Sequence, residues 1–344
     1  SEGFSVYEET QRSPAWGQKL DIQYKPIIRS EPLPGLADLE RYFIQPKTAL
    51  HVMLGYFFAA EFVKFYVDTY GFDAVPRALD RIAAGSRAEK ALVEAAGVLE
   101  ETVNAGFQEH LKRRLAPLDN LPEFHPPESG AEAPDHRPQV MPVTEWLAQS
   151  SPFTDALRHA EQAWQEKRWD DAERYWLEAD TLFPEYTGEN APLRRLILLY
   201  EQQGKLDELK STLRRELARN ATDLSACKKL LALHRRAGEW DAAVQVAQEA
   251  LGIDPWDLEI RKSLLEGSIH TGDLDRALTV AQQLTRLDAP HRTDYQLTRI
   301  DLLGKQGNWE QAKRENIRLL EEYPHFWQAQ ESLLSIVERT GAGE

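Results

Sequence analysis

Cysteine is almost missing from this chain: of 344 residues only Cys227 carries a thiol. A lone thiol closes no internal disulfide, and a cysteine-ligated zinc site is equally excluded. The compartment is left open, since exported and internal proteins alike can lack cysteine. Basic residues are the scarcer charge, with 41 Lys and Arg against 56 Asp and Glu, a net −15. So acidic a surface repels phosphate backbones and anionic lipid, which argues against nucleic-acid binding and membrane adhesion. A long uninterrupted apolar run is also lacking. The most apolar stretch, residues 49–67, contains His51, Glu61 and Lys64. These are costly in lipid, so the stretch reads as a buried core helix, and no membrane span is expected. No basic segment followed by an apolar run and a small-residue cleavage site is seen. The chain opens Ser1-Glu2-Gly3 with a helical pattern from its first residues, which suggests a piece cut from a longer protein.

Catalytic signatures are equally sparse. There is no Gly-x-Gly-x-x-Gly and no Gly-Lys-Ser/Thr phosphate loop, and no serine sits in a nucleophile elbow. The nine histidines fall at 51, 110, 125, 136, 159, 234, 270, 291 and 325, none four from another, so His-Glu-x-x-His is absent.

What is present is helical pattern and a period. Seven prolines between Pro117 and Pro142 remove backbone donors and disfavour helix, so residues 117–150 read as an extended linker. It divides a front module, 1–116, from a back module, 151–344. In the back module Gly204, Gly238, Gly272 and Gly307 fall 34, 34 and 35 residues apart. Two residues after each comes Leu206, Trp240, Leu274 or Trp309, and three further on Leu209, Ala243, Ala277 or Ala312. An earlier unit has Lys167 in the glycine slot with Trp169 and Ala172 after it, and Pro184, Pro255 and Pro324 close three units. Glycine ends the first helix of a pair in a left-handed turn, and alanine lets two helices approach closely.

This pattern resembles the tetratricopeptide repeat (TPR), two antiparallel helices per unit, stacked because one pair cannot bury both faces. Five units are expected, at about 153–186, 190–223, 224–257, 258–291 and 293–326, with a further first helix at 326–341. There are departures. The small position early in the first helix is Ala160 but then Ile197, Leu231 and Leu265; the one late in the second helix is Ala179 and Ala250 but Glu216 and Leu284 elsewhere. The resemblance implies a fold and a use: an all-α superhelix holding a protein or peptide on its inner face. First-helix residues that would line that face are Leu157, Glu161, Trp164, Arg194, Lys228, Arg235, Glu259, Lys262 and Glu266.

The front module opens with a helix-compatible stretch over residues 1–9 and then reads as helices at 36–44, 47–70, 72–84, 86–96 and 98–116, with a short strand conceivable in Leu20–Ile28. Its opening Glu2-Gly3-Phe4-Ser5-Val6-Tyr7-Glu8 resembles the second metal-ligand helix of the peptidase MA superfamily, the gluzincin zinc peptidases. The segments from Tyr56 to Val63, Tyr70-Gly71, and Ala96 to Glu101 leading to Phe107 are similar to the later helical part of those domains. The resemblance implies that Glu2 is the third zinc ligand of a longer parent whose His-Glu-x-x-His half is not in this sequence. The bland reading of Glu2 is a carboxylate favoured at a helix N-terminus. Tyr56 would be an oxyanion donor or, the favoured reading, a core aromatic. Glu61 is expected to pair with Lys64, and Lys112, Arg113 and Arg114 to suit a helix C-terminus. His125 and His136 fall in the linker, where solvation is expected.

The expectation is therefore a TPR binding scaffold attached to a truncated zinc-peptidase-like domain. This chain would hold no cofactor and be inactive by itself, with zinc only in the parent. The alternatives are a non-enzymatic TPR adaptor with a helical N-terminal module, or an inactive peptidase relative.

Overall fold

The structure is a computed structural model describing residues 2–13, 15–123, 148–188 and 190–341. The described residues form 18 α-helices with short 3-10 turns and no strand. His125, His136 and most of the proline-rich segment lie outside the described residues. The chain divides into two compact units, 1–221 and 222–344.

The first unit begins with α1 (Glu2–Arg12), α2 (Lys25–Ser30), α3 (Arg41–Ile44), α4 (Ala49–Tyr70), α5 (Ala74–Ala83), α6 (Ala88–Ala96) and α7 (Glu100–Leu115). Its hub is α4. Thr48 caps that helix by accepting from the His51 N–H, and Leu54, Phe57, Phe58, Phe62, Val63, Phe65 and Tyr66 are buried along it. A helix apolar on nearly every side belongs inside a core. By length and composition α4 is also long and apolar enough to cross a bilayer. Its rings are instead packed on other helices: Phe62 edge-on to Phe107 of α7 at 5.2 Å, and Phe58 edge-on to Tyr42 of α3 at 5.4 Å. Gly3 explains its early place in α1, because a Cβ there would lie 2.3 Å from the Ala59 carbonyl oxygen. Only glycine lets α1 lie this close to α4.

Several local expectations change. Residues 20–28 form no strand but a 3-10 turn at Ile22–Tyr24 and then α2. Asp21 accepts from the Gln23 N–H at 2.8 Å, and Pro26 sits in the first turn of α2, where its missing donor costs nothing. Residues 36–44 are a 3-10 turn followed by the single turn of α3. Glu61 does not pair with Lys64. It is on the buried side of α4, accepting from His110 Nε2 at 2.8 Å and Arg114 Nε at 2.7 Å, while exposed Lys64 pairs with Asp68 at 2.8 Å. Arg114 does more than suit a helix end, for its Nη1 also lies 2.6 Å from Glu185.

The same unit continues with α8 (Pro152–Gln165), α9 (Trp169–Leu182), α10 (Pro192–Gln203) and α11 (Leu206–Arg219). Lys167 takes φ 58, the one described non-glycine residue with positive φ, in the slot where the next pair has Gly204 at φ 68. Residues 117–123, expected as the start of the linker, belong to the packing instead. They include a 3-10 turn with Leu118 buried, and Leu121, also buried, accepts from Lys25 Nζ at 2.6 Å through its carbonyl. Asn120 donates to the Leu182 carbonyl at 2.9 Å, and Glu185 accepts from the Leu20 N–H. Front module and first helix pair are thus joined by direct bonds.

The second unit holds α12 (Leu224–Ala237), α13 (Trp240–Ile253), α14 (Leu258–His270), α15 (Leu274–Leu287), α16 (Arg292–Lys305), α17 (Trp309–Glu322) and α18 (Trp327–Gly341). Asp223, Asp257 and Asp273 cap α12, α14 and α15 by accepting from the N–H three residues on. Gly238, Gly272 and Gly307 have φ of 72, 76 and 79. Ala243, Ala277 and Ala312 are fully buried, as the close approach of paired helices requires.

Candidate functional site

Counting back from the residue that ends each first helix (Lys167, Gly204, Gly238 or Gly272) puts each of the nine candidate lining residues at one of four register positions of its own helix. Leu157, Arg194, Lys228 and Lys262 each lie 10 before it, Glu161 and Glu266 6 before, Trp164 and Arg235 3 before, and Glu259 13 before. Steps of 3, 4 and 3 keep side chains on one helix face.

In the first unit Leu157 is buried and Glu161 lies 3.7 Å from Arg195. Both line a cavity of about 390 Å³, with Thr154, Arg158, Trp176, Asn190 and Arg195. Trp164 is half-buried, edge-on to Trp169 at 5.1 Å and tilted on Trp176 at 5.5 Å. Arg194 reaches Glu216 at 3.2 Å. Glu216, which stands where the repeat usually has a small residue, is thereby buried with its charge matched.

In the second unit the charges at these positions are matched from repeat to repeat. Lys228 lies 2.5 Å from Asp257, the cap of α14. Lys262, 34 residues on, lies 3.1 Å from Glu259 and 3.3 Å from Asp288. Arg235 donates to Ser263 at 3.0 Å and to Glu266. Hydrogen bonds from His291 foremost, with Tyr295 and Lys262 behind, outweigh burial and bring Asp288 down to about 2. Hydrogen bonds to Glu259 and Asp288 push Lys262 up. Burial opposes ionisation of Asp257, but bonds from Lys228 and the Ile260 N–H hold its carboxyl below the usual range. Asp257 and Asp288, which pair with the candidate residues, and Asn190 and Arg195, which line the cavity, were not among those read from sequence. For Asp257 a signal existed, since an aspartate before an apolar helical run marks an N-cap.

The front-module candidates are apart from these positions in sequence. Glu2 is exposed in the first turn of α1. Tyr56 is half-buried and edge-on to Phe43 at 5.1 Å. Gly3 abuts Ala59 and Val63, which share an α4 face with Tyr56 by their spacing of 3 and 7 residues. Among the described residues no group of three His, Cys, Asp or Glu is arranged to hold a metal.

Residues 234–300 match the tetratricopeptide repeat family. No curated protein sequence matches the chain. Solved structures similar to it include a TPR protein with an unusual peptide-binding site, YrrB, at 16% identity over 52% of this chain and 89% of that one, TM-score 0.35. A tetratricopeptide repeat protein from Parabacteroides merdae is 18% identical over 55% of this chain and 74% of its own, TM-score 0.34. MamA from Desulfovibrio magneticus is 14% identical over 52% and 99%, TM-score 0.33. The chain carries tetratricopeptide repeats at 234–300, within an all-α fold whose glycine and alanine register extends to either side of that segment.

Proposed function

We infer that this chain is an interaction scaffold: the first-helix lining positions hold a protein or peptide, and the helical front module acts as an adaptor bonded to the first repeat. The observation supporting this is the shared register, nine first-helix side chains at four positions, of which Leu157 and Glu161 line a cavity of about 390 Å³ in the first unit. The paired charges at those positions favour a partner with both apolar and charged side chains, anchored in part on Trp164. The test is selection from a random peptide library on the immobilised full chain, followed by titration of the selected peptides. Trp164→Ala should weaken them by more than about 1 kcal/mol. Selected peptides indifferent to substitutions at Leu157, Trp164, Lys228 and Arg235 would move the binding face elsewhere.

A second reading, the zinc-peptidase parent, has one feature in its favour: Gly3 seats α1 on the Tyr56-bearing side of α4 and leaves Glu2 exposed at a helix start. A single carboxylate does not fit a zinc site, which takes three protein ligands and an open position, so no catalytic step is derived for this chain. In a longer form carrying His-Glu-x-x-His upstream, metal analysis should find about one zinc per molecule. Zinc retained by that form after Glu2→Gln would remove Glu2 from the ligand set.

A further inference from the structure

Helix α5 of the front module buries small residues and exposes large ones. Its buried residues are Ala74, Val75 and Ala78, and it packs chiefly on α6, whose own buried residues are Ala91 and Ala95. Leu79 is 53% exposed and Ile82 38%, and Phe72, just ahead of the helix, is 54% exposed. Phe72, Pro76, Leu79 and Ala83 succeed one another at steps of 4, 3 and 4 and so form one stripe, with Ile82 at its edge three residues beyond Leu79. All five are exposed. A helix whose only task is to cover its own core carries polar residues on its open side. Single exposed apolar residues are ordinary, but a continuous stripe of them marks a contact surface.

The charges beside the stripe divide by sign. Asp73 and Asp80 each follow a stripe residue by one position, which places both on one flank, about 80–100° round from Phe72. Arg77 and Arg81 lie further round, at about 140° and 180°, and are taken up by α6. Arg77 donates to the Ala95 carbonyl at 3.2 Å, and Arg81 to Glu94 at 2.8 Å. The two aspartates are exposed, and among the described residues neither is paired with a cation. Asp73 stands before the helix without capping it. Asp80 is in the last turn, where a carboxylate works against the helix dipole. Neither charge serves its own helix.

We propose that α5 is a docking surface for an amphipathic helix of a partner protein, one whose apolar stripe is bordered by Lys or Arg. Residues 72–83 extend over about 18 Å, which suits a partner helix of three to four turns with apolar residues at i, i+3 or i+4 and i+7. Charge selects this occupant. A second copy of this chain would bring the same two carboxylates and a net charge of −15, and an anionic bilayer repels both. Cations along one edge of the partner helix would instead meet Asp73 and Asp80 while its apolar side covers Phe72, Leu79 and Ile82. The surface lies outside the first-helix register and is independent of it.

The probe is a labelled helical peptide of about 18 residues made of Leu and Lys, with Leu along one face and Lys on its borders, titrated into the full chain. Expected is saturable binding within about 1–200 μM, the range for an interface of one helix face. Leu79→Glu should weaken it at least about tenfold. Asp73→Asn combined with Asp80→Asn should weaken it about three- to tenfold and reduce its dependence on salt. The control Ile44→Glu alters an equally open residue (64% exposed) on α3, which meets α4 toward its start, and should leave binding unchanged. Circular dichroism on each variant checks that helix content is kept. No saturable binding overturns the proposal, as does binding indifferent to Leu79→Glu or equal binding of a Leu and Glu peptide of the same pattern. Self-association of the chain, or adhesion to vesicles of anionic lipid, that is lost on Leu79→Glu would assign the stripe to a second copy or to a membrane and also overturn it.

Discussion

The front module and the repeats of the second unit are both all-helical, yet they are held together in different ways. In the front module α1, α3 and α7 converge on α4: rings join α3 and α7 to it (Tyr42 on Phe58, Phe43 on Tyr56, Phe62 on Phe107), and α1 lies against it through Gly3. In the second unit each helix packs chiefly on the next, and buried alanines set the spacing. A hub arrangement fails as a whole when its centre is damaged, whereas a serial one fails locally.

The largest expected effect strikes the hub. Phe107→Ala removes a fully buried ring from the α4–α7 contact and should cost about 3–5 kcal/mol. Hydrogen exchange should show faster opening of α1, α4 and α7 together. Faster exchange in α7 alone would break the comparison. Ala243→Phe overpacks one contact of the serial region and should cost about 1–3 kcal/mol. Its exchange changes should stay in α12–α14, and an effect indistinguishable from zero would show that Ala243 is not at the contact. Smaller still, and of opposite sign, is Lys167→Gly. It relieves a non-glycine residue at φ 58, a net gain of about 0.5–1 kcal/mol after glycine's larger unfolded-state entropy. A lowered melting temperature would mean that the Lys167 side chain does something its backbone does not reveal.

The same contrast explains what could be read from the sequence. The repeats announce themselves because local chemistry recurs: a left-handed glycine, an alanine five residues on, and a 34-residue spacing, down to Lys167 occupying the slot without being glycine. The lining residues come from that register. The front module offers no recurrence, so its long-range contacts stayed hidden. Nothing near Glu61 points to His110 and Arg114, 49 and 53 residues away, and Lys64 was the nearest cation in sequence. Residues 20–28, with Leu20, Ile22 and Tyr24 alternating with polar residues, read as a possible strand, and Asp21 and Pro26 tipped them to turn and helix. Leu118 and Leu121 were overlooked among prolines, although two leucines in a polar stretch are what tethers it.

The last prediction compares two carboxylates, one in each region, as pH falls. Burial of Glu61 would push its carboxyl up, but hydrogen bonds from His110 and Arg114 and the guanidinium charge win, and it stays below the usual range. Asp288 is brought down to about 2, chiefly by His291. Both have folded pKa values below their unfolded ones, so each contributes stability above its ordinary value, about 4.3 for Glu and 3.9 for Asp. That contribution is lost as pH falls through the folded value. Glu61→Gln should therefore flatten the loss of front-module stability below about pH 4.3 without altering the α15–α16 junction. Asp288→Asn should do the reverse, over about pH 4 to 2. Urea unfolding from pH 5 to 2.5, followed by exchange in α7 and α16, measures both. Because the two regions are separate units, each substitution should leave the other's profile unmoved. A Glu61→Gln variant that shifted α16 would show that the hub and the serial repeats unfold as one, contrary to the division of the chain into two compact units.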